Sequence, residues 1–245
     1  MHPVLFKCGI VTVYSYGFML FVAVAVALSL LLKAAEKKNY DKDLVTDLVM
    51  TILVSGIIGA RILYVILNWD FYKGNPKEIF MLHHGGLAVL GGIVTGLLAA
   101  FIFCRYKKIS FLEMADLVSP YVALAHAIGR IGCFLNGCCY GLPSKFGIYF
   151  PIHKTTLIPT QLIESVLLFI LFLVLKAKEK IAHQKGTILV SYILYYSVIR
   201  FFMEFMRADS ERLWLGLTIF QYFCVVLFLI SSLFYIALWK RKFSK

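Results

Sequence analysis

Residues 14–32 read YSYGFMLFVAVAVALSLLL, without a single charge. At about 1.5 Å per residue such a helix nearly matches the roughly 30 Å hydrocarbon core of a bilayer. Six further apolar stretches of near-spanning length follow, at 45–67, 85–104, 117–135, 161–175, 187–206 and 217–239. The pattern predicts an all-α membrane protein of about seven transmembrane helices. The first run exceeds the roughly 7–15 residues of a signal-peptide core, and no convincing small-x-small site follows it, so it reads as a retained helix.

Composition agrees with this reading. Of 245 residues, 61% are apolar and 16% charged, against about 45–50% and about 25% in a soluble domain. The net charge of +12 does not imply nucleic acid, because the basic residues sit between apolar runs rather than across one soluble face. No linker, repeat or low-complexity tract divides residues 1–245, so the chain reads as a single integral membrane domain.

The loops set the expected orientation, since cytoplasmic loops hold the excess of Lys and Arg. The segments after the first, third, fifth and seventh runs carry 15 basic residues, from Lys33 to Lys245, and the opposite segments carry seven, from Lys7 to Arg212. The expectation is an N-terminus outside and a C-terminus in the cytoplasm.

Three arginines belong to no loop: Arg61, Arg130 and Arg200. A charge at bilayer depth costs at least about 2.5–3.5 kcal/mol and usually faces a partner or a polar cavity. Arg130 stands in Gly129-Arg130-Ile131-Gly132-Cys133-Phe134-Leu135-Asn136-Gly137-Cys138-Cys139-Tyr140-Gly141. Helix packing accounts for these glycines, but not for the arginine and asparagine among them. Tyr196, Arg200, Glu204 and Arg207 follow one another at spacings of four, four and three, on one helical face. Arg200 and Glu204 at this spacing can neutralise each other. Two separate membrane arginines with nearby tyrosines point instead to a bidentate grip on phosphate, which a planar guanidinium favours.

These residues, taken in order, resemble the bacterial prolipoprotein diacylglyceryl transferases. The resemblance runs through Tyr16-Gly17, Gly59-Ala60-Arg61-Ile62-Leu63-Tyr64, Gly85-Gly86-Leu87 with Gly91-Gly92, and Asp116. It is strongest at Gly129-Arg130-Ile131-Gly132 with Phe134, Asn136-Gly137 and Gly141, and continues through Pro159-Thr160-Gln161-Leu162 with Glu164 to Arg200, Glu204-Phe205 and Arg207. It implies a multi-pass enzyme of the bacterial cytoplasmic (inner) membrane. Such an enzyme moves the diacylglyceryl group of phosphatidylglycerol onto the lipobox cysteine of a preprolipoprotein, giving a thioether and glycerol phosphate. The implied partners are phosphatidylglycerol, the preprolipoprotein and membrane lipid, with no nucleic acid, cofactor or metal. On this reading Arg130, Arg200, Tyr196 and Glu204 are catalytic, and the phospholipid meets Arg130, Arg200, Tyr16, Arg61, Gly85, Gly86, Asn136, Gly141 and Arg207.

The chain also departs from the family pattern. Leu90 stands where many members carry a histidine before the second Gly-Gly pair, and Cys133, Cys138 and Ile158 replace common polar residues. The base is therefore not assigned by resemblance. His126 precedes Arg130 by four residues, which puts both on one helical face, and a neutral imidazole can accept a thiol proton. A packing role for His126, or ionisation of the thiol through Tyr196, Glu204 or the phospholipid itself, remains open. Cys133, Cys138 and Cys139 fit neither a C-x-x-C pair nor a complete four-ligand site, and read as packing or occasional oxidation. His83 and His84 read as loop histidines without a specific task. A membrane protease would need a nucleophile–base pair or H-E-x-x-H, and a transporter commonly shows repeats; the sequence carries none of these. The remaining alternative is a non-catalytic phospholipid-binding or transporting paralogue.

Overall fold

The computed structural model describes residues 1–8, 11–81, 85–181 and 183–243; His83, His84 and Lys245 lie outside them. In chain order the elements are β1 (Val4–Cys8), β2 (Val11–Tyr14), α1 (Ser15–Lys37), α2 (Lys42–Leu67), the one-turn α3 (Trp69–Tyr72), α4 (Val89–Tyr106), α5 (Phe111–Asn136), β3 (Pro143–Phe150), β4 (Thr155–Leu157), α6 (Thr160–Glu179), α7 (Thr187–Phe205) and α8 (Ile219–Phe243). Among the described residues, seven helices are long and apolar enough to cross a membrane, which makes this a multi-pass membrane protein. The two antiparallel hairpins, β1–β2 and β3–β4, are not announced by the hydropathy pattern.

The chain packs as two compact units, Met1–Leu31 with Ala115–Lys245, and Leu32–Met114. In the first, Ala123 and Ala127 of α5 meet Leu168, Leu171 and Leu175 of α6 and Ile188 of α7, with Tyr192 and Tyr196 packed against them. The alanines let α6 approach closely enough for the Ser165 hydroxyl to donate to the Ala127 carbonyl at 2.8 Å, the small-residue packing typical of helices in lipid. Asp116 of α5 caps α7, accepting from Gly186 N at 2.6 Å and Leu189 N at 2.8 Å, where a carboxylate satisfies free amides and the helix dipole. α8 keeps Leu229, Leu233, Phe234 and Ile236 on the outside, as a helix apolar all round does in lipid.

In the second unit α2 and α4 touch through small residues. A Cβ on Gly91 would strike the Gly59 carbonyl, and one on Gly59 would strike Thr95; Thr95 Oγ1 donates to the Ser55 carbonyl at 3.0 Å. The expected third helix, from residue 85, begins instead at Val89. Gly85 and Gly86 hold φ of 82° and 81°, outside helical geometry, and their carbonyls serve Arg61.

Candidate active site

Three helices each bring a charge to one buried point in the first unit. Arg130 on α5 donates through Nη2 to Glu164 Oε1 on α6 at 2.8 Å. The other oxygen of Glu164 lies 3.7 Å from Arg200 Nη1 on α7, so one carboxylate sits between two guanidinium groups. Arg200 Nη2 is 2.7 Å from Glu204 Oε2 one turn further along α7, and Thr218 Oγ1 donates to Glu204 Oε1 at 3.1 Å. Both glutamates are 2% exposed, Arg200 7% and Arg130 9%. Such charges persist in a low-dielectric interior only when paired.

The pairing is incomplete in an informative way. Arg130 Nε and Arg200 Nη1 are buried without a hydrogen-bond partner, whereas buried donors are nearly always satisfied. Each arginine thus keeps at least one buried donor unspent. An anionic oxygen is the chemical complement of such a donor. The Arg200 guanidinium also lies over the Phe220 ring, 5.3 Å from its centroid, which fixes its plane.

Around this centre the structure distributes the other predicted residues unequally. Tyr196 packs its ring 5.3 Å from that of His126 and stacks on Tyr192 at 5.9 Å. His126 therefore sits beside a phenol, and its ring makes no hydrogen bond among the described residues. Tyr16 is 39% exposed, and its backbone and ring back onto Gly132, where a Cβ would come 3.5 Å from both. Asn136 is the last residue of α5. Gly141 N donates to the Ile158 carbonyl at 3.0 Å and pairs with Arg207 as an isolated bridge; a Cβ there would meet both Ile158 and the Met206 carbonyl at 2.8 Å. Gly141 is thus a backbone crossing that brings the end of α7 against the hairpin.

Arg207 lies just past α7, with Nε 3.8 Å from Glu204. Its bidentate fork is taken by Asp209, at 2.9 and 2.7 Å. Burial works against its charge, yet the Asp209 hydrogen bonds and the Glu204 carboxylate hold its pKa above the ordinary guanidinium value. Its grip is therefore on a carboxylate, not an open fork awaiting phosphate.

Arg61 belongs to the second unit and is placed differently. Nε donates to the Ile79 carbonyl at 2.9 Å, Nη1 to those of Gly85 and Gly86 (2.9 Å for Gly86), and Nη2 to those of Glu78 and Met81. The guanidinium also faces the Tyr72 ring at 5.3 Å. Its donors are spent on backbone. Gly85 and Gly86 line a cavity of about 410 Å³ with Tyr64, Asn68, Phe71, Tyr72 and Glu78.

Glu164 was not singled out by the sequence reading as a site residue. The signal was present, since it is the sole acidic residue in the run 161–175 and a buried carboxylate obeys the same rule as a buried arginine. Thr218, an ordinary polar residue before α8, carried no comparable signal. Cys133, Cys138 and Cys139 bring their sulfurs within 4.8 Å of one another, closer company than their spacing implied.

A family model described as prolipoprotein diacylglyceryl transferase matches residues 3–237. The chain is 38% identical to a Listeria welshimeri protein named phosphatidylglycerol–prolipoprotein diacylglyceryl transferase, over 94% of this chain and 87% of the relative. A Clostridium tetani protein of the same name is 36% identical over 86% of this chain and 87% of its own length. For one from Lactobacillus acidophilus the values are 31%, 100% and 92%.

Proposed function

Because the chain belongs to the prolipoprotein diacylglyceryl transferase family, we propose that its buried arginine pair is built for that transfer. The protein is an enzyme that takes a diacylglyceryl group from phosphatidylglycerol and gives it to a prolipoprotein. The observation that carries the reading is the pair of unspent donors, Arg130 Nε and Arg200 Nη1, on two guanidinium groups joined by Glu164.

The chemistry follows from charge. The lipobox thiol loses its proton, the thiolate being the nucleophile, and its sulfur bonds to the glyceryl carbon that carries the phosphate ester. The carbon–oxygen bond breaks, its electron pair goes to oxygen, and glycerol phosphate leaves. Negative charge gathers on the departing phosphate, and two pre-placed donors in a dry site stabilise that charge without reorganising. Glu164 keeps the arginines adjacent despite their repulsion, and Glu204 with Thr218 sets the rotamer of Arg200. We assign the proton to His126, whose ring has Tyr196 as neighbour, with Tyr196 fixing the imidazole. Tyr16, Asn136 and Gly141 shape the outer end of α5, and Arg207 contributes field rather than grip.

The 15 to 7 distribution of basic residues supports an N-terminus outside and a C-terminus in the cytoplasm of the bacterial inner membrane. A reporter after Lys245 is expected to be cytoplasmic and one after Tyr140 external; an external C-terminal reporter overturns the orientation. The function is tested by mass spectrometry of a lipobox peptide incubated with purified protein and phosphatidylglycerol. The expected result is a peptide heavier by one diacylglyceryl group, absent when the peptide cysteine is serine. Bound phospholipid with unmodified peptide would point to the non-catalytic alternative.

A further inference from the structure

We propose that Cys133, Cys138 and Cys139 form a binding site for one thiophilic cation of the Zn(II) or Cu(I) class. Their three sulfurs lie within 4.8 Å of one another. An ion held in the plane of three thiolates by bonds of about 2.3 Å needs sulfur–sulfur edges of about 4.0 Å. With no edge longer than 4.8 Å, the triangle exceeds that size by less than 1 Å at most, so closing on an ion does not require the chain to rearrange. Soft thiolate sets of this kind select Zn(II) and Cu(I) over hard cations.

The corner that carries the trio is built to hold this shape. Cys133 lies in the last turn of α5, Gly137 turns the chain at φ 77°, and Cys139 adopts a φ of 61°. From α6, Gln161 Nε2 donates to the Cys138 carbonyl at 2.6 Å and Thr160 Oγ1 to the Cys139 carbonyl at 2.7 Å. Gln161 Oε1, in the same carboxamide, is buried and has no hydrogen-bond partner. A four-coordinate Zn(II) would take its fourth ligand from water. Three thiolates and a divalent ion leave one net negative charge. The half-buried Cys138 and Cys139 give an ion access, while Cys133 is buried. Binding exchanges three thiol protons for the metal, with no change of oxidation state.

The site would pin the turn that leads from Arg130 to the Gly141 crossing. It supplies positioning rather than the reaction itself, so its fate is separable from that of the transferase reading. The test uses the full-length protein in detergent under anaerobic conditions. Co(II) alone should give a 1:1 complex with an intense thiolate-to-metal band in the near ultraviolet and the visible bands of a tetrahedral ion, displaced by Zn(II). Cu(I), scored against a chromophoric chelator, should bind 1:1 without a fourth ligand if the three-coordinate ion is the occupant. Cys138→Ser and Cys139→Ser should each weaken binding by at least 100-fold, whereas Cys104→Ser and Cys224→Ser should leave it unchanged; melting curves report whether each variant is folded. Either ion binding in this Cys138- and Cys139-dependent way sustains the proposal and identifies the ion. It is overturned if neither ion binds at micromolar concentration, if a folded Cys138→Ser protein binds as wild type, or if thiol counting finds two of the three cysteines joined as a disulfide. Metal binding without diacylglyceryl transfer would fail the transferase reading and leave the site standing.

Discussion

Arg61 and the Arg130–Arg200 pair are all buried arginines in apolar helices, yet they hold opposite kinds of surroundings. Arg61 gives its donors to the carbonyls of residues 78–86 and ends with none to spare. Arg130 and Arg200 share a carboxylate and each keep one donor without a hydrogen-bond partner. A cation saturated by backbone organises a loop; a cation held in place by carboxylates, with a donor unused, is ready for an anion. Buried charge alone did not separate these cases, whereas the count of unspent donors does.

The largest effect that follows is on chemistry at the pair. Arg130→Lys and Arg200→Lys keep the charge but lose the planar fork and the spare donor. Each should lower the rate of diacylglyceryl transfer by about 10²–10³, the usual cost of removing one preorganised donor at a developing oxyanion. Initial rates with a lipobox peptide measure it, and wild-type turnover by either folded variant would break the distinction between the two regions. Glu164→Gln should affect folding as well, because both arginines lose the anion between them. Removing one partner from a buried pair costs about 3–5 kcal/mol, which a thermal melt in detergent reads directly.

A somewhat smaller effect is expected at the proton. General-base catalysis contributes about 10²–10⁴, and the lower end suits a histidine placed only against a ring. His126→Gln should slow transfer by about 10², since the amide keeps the size and polarity of the side chain but cannot accept the thiol proton. Leu90→His in that background asks whether a histidine elsewhere can take over. An unchanged rate in folded His126→Gln would remove His126 from the reaction and leave it a packing partner of Tyr196.

The helices were legible because a long uncharged run has few readings, and residues 14–32 required a membrane by length alone. The arginines were legible for the converse reason, as charges misplaced in apolar surroundings. Less legible was everything that depends on which group a side chain meets. Glu164 is as displaced as Arg130, but its position between two arginines depends on how α5, α6 and α7 pack. The apolar run begins at residue 85, four residues before α4, because Gly85 and Gly86 belong to the apolar pattern while adopting positive φ. Their conformation is tied to Arg61, far away in sequence. The hairpin β3–β4 is not legible because its strands, with a register shift, carry little alternation.

The smallest effect on catalysis should come from Arg61, and it sharpens the comparison best. Lysine at this position reaches fewer carbonyls and cannot serve Ile79, Gly85, Gly86, Glu78 and Met81 from one plane. The carbonyls released are partly buried, so Arg61→Lys should cost about 2–3 kcal/mol of stability and lower the thermal midpoint. Gly86→Ala should act on the same contact, since a Cβ would come 2.6 Å from Tyr64 and 2.7 Å from Arg61 Nη1 at a φ that already disfavours alanine. In both variants the folded fraction should transfer diacylglyceryl groups within about tenfold of wild type, because a clamp that has no spare donor acts through the loop it holds rather than on a developing charge. Equal and full loss of transfer in folded Arg61→Lys and Arg130→Lys proteins would mean that Arg61 gives up its carbonyls to reach substrate, and that donor saturation in the resting protein does not identify a structural arginine.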